Sequence, residues 1–137
     1  MNKQHIINTF QKMRERGWDT MYWAIDIHDT CLKSTYSDEL STEFFPYAKD
    51  TLRLLSDRED CCLILFTCSH QSDIERYQEF FKECGIIFWY VNENPEVENT
   101  KLANFDQKFY VNFYIDDKAG FDPDNDWLEI HQALQIV

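Results

Sequence analysis

Three apolar runs in the sequence each end in side chains that can bind ions or move protons. MYWAID, residues 21–26, leads into Asp26, His28, Asp29 and Thr30. CLILFT, 62–67, leads into Thr67, Cys68, Ser69 and His70, and FYVNFYID, 109–116, leads into Asp116, Asp117 and Lys118. Brought to one edge of a sheet, Asp26 and Asp116 would repel each other, and a hard divalent cation removes that repulsion by taking carboxylate oxygens. Mg2+, which prefers oxygen donors and keeps part of its water shell, suits such a pair. A carboxylate beside that ion can also attack a phosphoryl group, dividing one difficult displacement into two easier steps. Thr67 and a nearby lysine would then hold the phosphoryl oxygens.

The elements that must position these groups are legible as alternating periodicities. Residues 3–16 carry Ile6, Phe10 and Met13 on one helical stripe, stopped by Gly17. The run 21–26 is continuous enough to be a central strand covered on both faces. Pro46 suits the first turn of a helix running to about Asp57, with Leu52 and Leu55 inward. After the strand 62–67, Ser72 or Asp73 can cap a third helix that places Ile74, Tyr77, Phe81 and Cys84 on one face and ends at Gly85. IIFWYV, 86–91, reads as the third strand, the polar segment 92–106 as a loop, and 109–116 as the fourth strand. From about Asp124, Trp127, Ile130, Leu134 and Val137 fall at helical spacing. Strands alternating with helices imply an α/β fold: a three-layer, Rossmann-like arrangement around a parallel sheet, whose ligands sit beyond the carboxyl ends of the strands. The aromatic set Phe88, Trp89, Tyr90, Tyr110, Phe113 and Tyr114 is expected in the core.

Composition narrows the partners. The chain has 137 residues, 44% hydrophobic, with three Gly and three Pro, which suits one domain over 1–137 and no second. A formal net charge of -12 argues against polymeric nucleic acid, whose phosphates need Lys and Arg clusters. No apolar run approaches a membrane span, and the N-terminal residues lack the apolar centre of a secretory signal. Five cysteines without paired spacing suggest reduced thiols and a cytoplasmic protein, and the carboxylate chemistry above makes a small phosphorylated molecule the expected partner.

Beyond chemistry, AIDIHDTCL resembles the first motif of the haloacid-dehalogenase (HAD) superfamily, a hydrophobic strand ending in Asp-x-Asp-x-Thr. LILFTCS looks like its second motif and FYVNFYIDDKAGF like its fourth, in matching order over about residues 20–121. The resemblance implies a Mg2+-dependent phosphatase with Asp26 as nucleophile and metal ligand, Thr67 on the phosphoryl group, and Asp116 as second ligand supported by Asp117. Cys68, next to Thr67, is carried as a substrate-side neighbour. The motif-three lysine would be Lys108, with Lys101 as fallback. Where the family's phosphatases hold a second Asp as general acid and base, this sequence has His28. Its backbone carbonyl would still face the metal, and its ring can donate and accept a proton near neutral pH. Neither usual cap insertion is present. The stretch 31–45 could form a flap at most, leaving the site open to a bulky substrate or to a neighbouring copy in a homo-oligomer.

Other readings compete. Loss of the second Asp would suit a phosphate- or metal-binding protein with weak turnover, in which His28 is only a turn residue. A response-regulator receiver domain has similar parts, but its acidic pair follows the first strand, whereas here the pair follows the last. Dehalogenase chemistry would leave the acidic pair without purpose. Cys68 as a thiol nucleophile lacks a basic partner that the sequence specifies.

Overall fold

Asn2 opens the first helix with its side-chain oxygen, which accepts from the Gln4 N–H at 2.7 Å and satisfies a donor that the helix itself cannot. This helix, α1 (Lys3–Glu15), carries Lys12 and Arg14 in its last turn and buries Ile6, Phe10 and Met13. The computed structural model describes residues 1–137. After α1 come β1 (Met21–Ile25), α2 (Ala48–Asp57), β2 (Cys61–Leu65), α3 (Gln71–Glu83), β3 (Tyr90–Val91), β4 (Phe113–Ile115), a 3-10 turn (Asp117–Ala119) and α4 (Asp126–Leu134). No helix is long and apolar enough to cross a membrane.

The four strands form one all-parallel sheet in the order β3-β2-β1-β4. This is the three-layer, Rossmann-like α/β fold expected from the alternation of elements. From β1 the chain steps outward to β2 and β3, then returns to the opposite side of β1 to add β4. The point where the direction reverses therefore lies between β1 and β4, the place where open α/β sheets bind ligands.

The two faces of the sheet are covered differently. Trp23, Ile25, Leu63, Leu65, Phe113 and Ile115 join the buried residues of all four helices in a single apolar core. Trp23 stacks on Phe113 with ring centroids 4.1 Å apart, and α4 packs against both α1 and α2. Truncating a fully enclosed side chain here, such as Leu52, would cost about 2–5 kcal/mol. On the opposite face the irregular segment 92–112 forms the cover. Its Glu96 accepts from Tyr22 Oη at 3.2 Å and Tyr90 Oη at 2.6 Å, and Phe109 and Tyr110 lie against Phe66 and Tyr22.

Several element boundaries differ from the expectation. The helix expected from Pro46 begins at Ala48, because Pro46 and Tyr47 make a turn in which Tyr47 is left-handed, φ 64°, and Ala48 N–H reaches the Phe45 carbonyl. The third helix begins at Gln71, ahead of the expected caps, with His70 in the capping position. Strand 86–91 shortens to Tyr90–Val91, since the Ile87 N–H is taken by Ser56 Oγ of α2 rather than by a strand. Strand 109–116 shortens to Phe113–Ile115, because Asn112 bonds Tyr22 through its side chain as well as its backbone. Of the aromatic set expected in the core, Phe88 and Phe113 are buried, whereas Trp89 is 65% exposed on the edge of the sheet.

Candidate functional site

The strands end level with one another. Val91 pairs with Leu65, Leu65 with Ile25, and Ile25 with Ile115, so the last residues of all four strands form one row. The ladder extends one step further: Asn92 N–H donates to the Leu65 carbonyl, Phe66 N–H to Ile25, and Asp26 N–H to Ile115, at 2.8, 2.8 and 2.9 Å. Asp26, Phe66, Asn92 and Asp116 thus leave the sheet along a single line. They line an open cleft of about 470 Å3 together with His28, Asp29, Thr67, Cys68, Asp117 and Lys118.

The acidic side of the cleft is built around Thr30, which is fully buried. Its hydroxyl donates to Asp26 Oδ2 at 2.9 Å and accepts from the Asp117 backbone N–H at 3.0 Å, with Asp117 Oδ1 3.3 Å away. Its carbonyl accepts from Trp127 Nε1 of α4 at 2.8 Å, which fixes the loop to the core. Asp26, Asp116 and Asp117 each offer a carboxylate oxygen, and these oxygens lie within 4.8 Å of one another. Burial raises the Asp26 carboxyl to about 6; the Thr30 hydrogen bond opposes the rise, and the negative charges of Asp116 and Asp117 add to it. The nearest cation is Lys118 Nζ, 3.9 Å from Asp117 Oδ2 and largely in solvent. Three hard oxygen donors with so little compensating charge fit a divalent cation such as Mg2+.

The opposite side holds Thr67. Its backbone is gripped by Asn92, whose Oδ1 accepts from Thr67 N–H and whose Nδ2 donates to the Thr67 carbonyl. The Thr67 hydroxyl lies 2.9 Å from Ser69 Oγ and also accepts from the Ser69 N–H at 3.2 Å. Cys68 is an exposed thiol on the cleft wall, while His70 is drawn off to the start of α3. His28 reaches the cleft too, but its Nε2 lies 2.8 Å from Tyr77 Oη of α3, with the rings edge to face.

The structure therefore brings together Asp26, His28, Thr67, Cys68, Asp116 and Asp117. It does not bring Lys108 or Lys101 to them: neither lines the cleft, and both are exposed. Phe109 packs against Phe66 and Tyr114, which anchors the segment on the flank of the sheet and leaves Lys108 outside. Lys118 is the lysine on the cleft. Sequence reasoning placed Lys118 at this strand end beside Asp116 and Asp117 but assigned the phosphoryl contact to Lys108; it missed Asn92, whose signal was no more than a polar residue directly after an apolar strand. The stretch 31–45 is a narrow excursion pinched at its base by the Leu32–Phe44 bridge and by Lys33 N–H on the Glu43 carbonyl.

No protein family's sequence profile matches the chain, and no curated protein matches it. Among solved structures, the chain is similar to a conserved protein coded by a locus of Bacteroides thetaiotaomicron, with a TM-score of 0.65 and 25% identity over 85% of this chain and 91% of that one. That likeness extends the fold to a protein whose name states no activity.

Proposed function

We propose that this chain is a Mg2+-dependent phosphomonoester hydrolase of the capless HAD-like kind, working through a phosphorylated Asp26. The observation that carries the reading is the meeting of the Asp26, Asp116 and Asp117 carboxylates within 4.8 Å, on one row of strand ends facing Thr67. Mg2+ held by these carboxylates would supply positive charge for the phosphoryl oxygens and lower the mutual repulsion of the three acids.

In the first step an Asp26 oxygen attacks phosphorus while the bond from phosphorus to the ester oxygen breaks. The His28 ring gives its proton to the leaving alkoxide. In the second step water attacks the phosphorus, its proton passes to His28, and the Asp26 carboxylate departs, leaving inorganic phosphate. Asp26, at about 6, is mainly ionised at neutral pH and so is ready to attack. Thr67 and Lys118 hold the phosphoryl oxygens, and Thr30 aims the Asp26 carboxylate. The five free thiols suit a reducing compartment, and the cytoplasm belongs to the same reading.

A second reading, a phosphate- and metal-binding protein with little turnover, is favoured by one contact. His28 Nε2 is already engaged at 2.8 Å with Tyr77 Oη, which leaves Nδ1 as the free ring nitrogen for proton transfer. Hydrolysis of an aryl phosphate with and without Mg2+ separates the two. Magnesium-dependent turnover that is abolished in Asp26→Asn supports the hydrolase. An inactive native chain that gains turnover as His28→Asp supports the binding protein, and inactivity of both variants and the native chain removes the hydrolase reading.

A further inference from the structure

His28 is a shared wall. On one side it lines the cleft of Asp26; on the other it lines a second open hollow of about 480 Å3, lying between the excursion at 34–41 and the first turns of α3. That volume lies in the range of small-molecule sites, roughly 300–1,000 Å3. Six of its 12 lining residues carry hydroxyls: Ser34, Thr35, Tyr36, Ser37, Ser41 and Tyr77.

The walls are tied to the catalytic loop rather than simply lying near it. Asp29 accepts from the Ser34 N–H at 3.2 Å and from Tyr36 Oη at 2.7 Å, which straps the excursion to the loop that bears Asp26. At the other end Tyr77 Oη accepts from the Ser41 N–H at 3.1 Å while lying 2.8 Å from His28 Nε2. The hydroxyl-rich surface and the cleft are therefore held in a set relation through Asp29, His28 and Tyr77. The hollow's charges are unbalanced: Asp38, Glu39 and Asp73 face a single Arg76, itself 3.3 Å from Asp73. A second anionic group would be repelled there, whereas the hydroxyls of a neutral ligand can donate to the carboxylates and to the wall's hydroxyl oxygens, three of whose own protons are given to Asp29, Glu39 and Thr35.

We propose that this hollow receives the leaving group of the phosphoester, and that the leaving group is neutral and rich in hydroxyls, a sugar or polyol carrying one phosphate. The inference rests on the phosphoryl site at Asp26 and adds the class of molecule attached to the phosphorus.

The test maps backbone amide shifts by NMR in the native chain with Mg2+, using three probes: inorganic phosphate, the non-hydrolysable methylene phosphonate of glucose 6-phosphate, and a bisphosphonate analogue of a sugar bisphosphate. Inorganic phosphate is expected to move the signals around Asp26, Thr67 and Asp116. The glucose phosphonate is expected to move Ser34 to Ser41 and Tyr77 as well, and to bind at least tenfold more tightly than inorganic phosphate. Tyr77→Phe is expected to lose most of that gain. If the glucose phosphonate shifts nothing beyond what inorganic phosphate shifts, the hollow is not the subsite, although the phosphoryl site stands. If the bisphosphonate binds as tightly as the monophosphonate, the neutral class is overturned. If no probe moves any signal at the cleft, the phosphoryl site fails and this inference falls with it.

Discussion

Asn92 holds the backbone of Thr67 at both of its polar groups: it accepts from the Thr67 N–H at 2.9 Å and donates to the Thr67 carbonyl at 2.7 Å. It does so from a left-handed conformation, φ 55°, which Asn tolerates better than most residues because its short side chain can bond locally. Asn92→Ala removes both bonds and leaves alanine in a backbone region that disfavours it by roughly 1–2 kcal/mol. The expected outcome is a rise in KM for an aryl phosphate of about tenfold, the equivalent of roughly 1.4 kcal/mol, read by steady-state kinetics. A KM unchanged within twofold would remove Asn92 from the site.

Thr30 is the buried joint between the two acidic strand ends. Thr30→Val keeps the shape but strands the Asp117 N–H and releases Asp26, so stability should fall by roughly 1–3 kcal/mol, the cost of an unmet buried donor. Thr30→Ser, which retains the hydroxyl, should recover most of the loss. Urea titrations of the three proteins provide the comparison.

The raised Asp26 carboxyl sets the sign of a pH effect. Its folded value, about 6, lies above its ordinary value of 3.8, so between those values the folded chain binds more protons than the unfolded one. Stability is therefore favoured below the ordinary value and declines as pH rises through the folded value. In chelator, Asp26→Asn should be more stable than the native chain at pH 7.5, by roughly 1 kcal/mol after allowance for solvent screening, and equal to it near pH 3.5. Mg2+ should raise the native Tm more at pH 7.5 than at pH 4.5, because the ion needs the ionised carboxylates. Thermal melts in chelator and in Mg2+ test both, and a native chain that gains stability from pH 4 to 7 in chelator contradicts the first.

Lys118 and Lys108 separate cleanly. Lys118 lines the cleft beside Asp117, whereas Lys108 lies outside it. Lys118→Ala should weaken inorganic phosphate binding by about fivefold, since an exposed cation close to an anion contributes at most about 1 kcal/mol. Lys108→Ala should stay within twofold. Titration calorimetry with inorganic phosphate in Mg2+ would decide, and the reverse ranking would restore Lys108 as the phosphoryl contact.

Much of this arrangement was readable in advance, and the limits have physical causes. Asp26, Thr67, Asp116 and Asp117 were legible because a buried parallel strand is a continuous apolar run, and such a run must deliver its next residue to the same edge of the sheet. The helical stripes of Ile6, Phe10 and Met13, and of Ile74, Tyr77 and Phe81, were legible for the matching reason of period. Asn92 and the second role of Tyr77 were not, because each depends on which loop lies beside which, and 92–112 follows no period. The strand limits failed where apolar residues serve other contacts: Ile86 and Phe88 pack into the core without forming a strand, and Trp89 stays exposed. The lysine was misplaced because chain proximity to β4 does not say on which flank a side chain emerges.

The pairing of β1 with β4 has a consequence for how the chain comes to be folded. Asp26 is anchored by Ile115, which lies far along the chain from it. Contacts between such distant segments incur the loop-closure entropy before any of the reward, so they form late and slowly. During synthesis β1 and β2 can associate as soon as residue 65 is free of the ribosome, yet the far edge of β1 stays open until residues 113–115 arrive. The growing chain therefore carries an unpaired apolar edge from the time β1 and β2 associate until β4 is made, and the acidic residues gather only then.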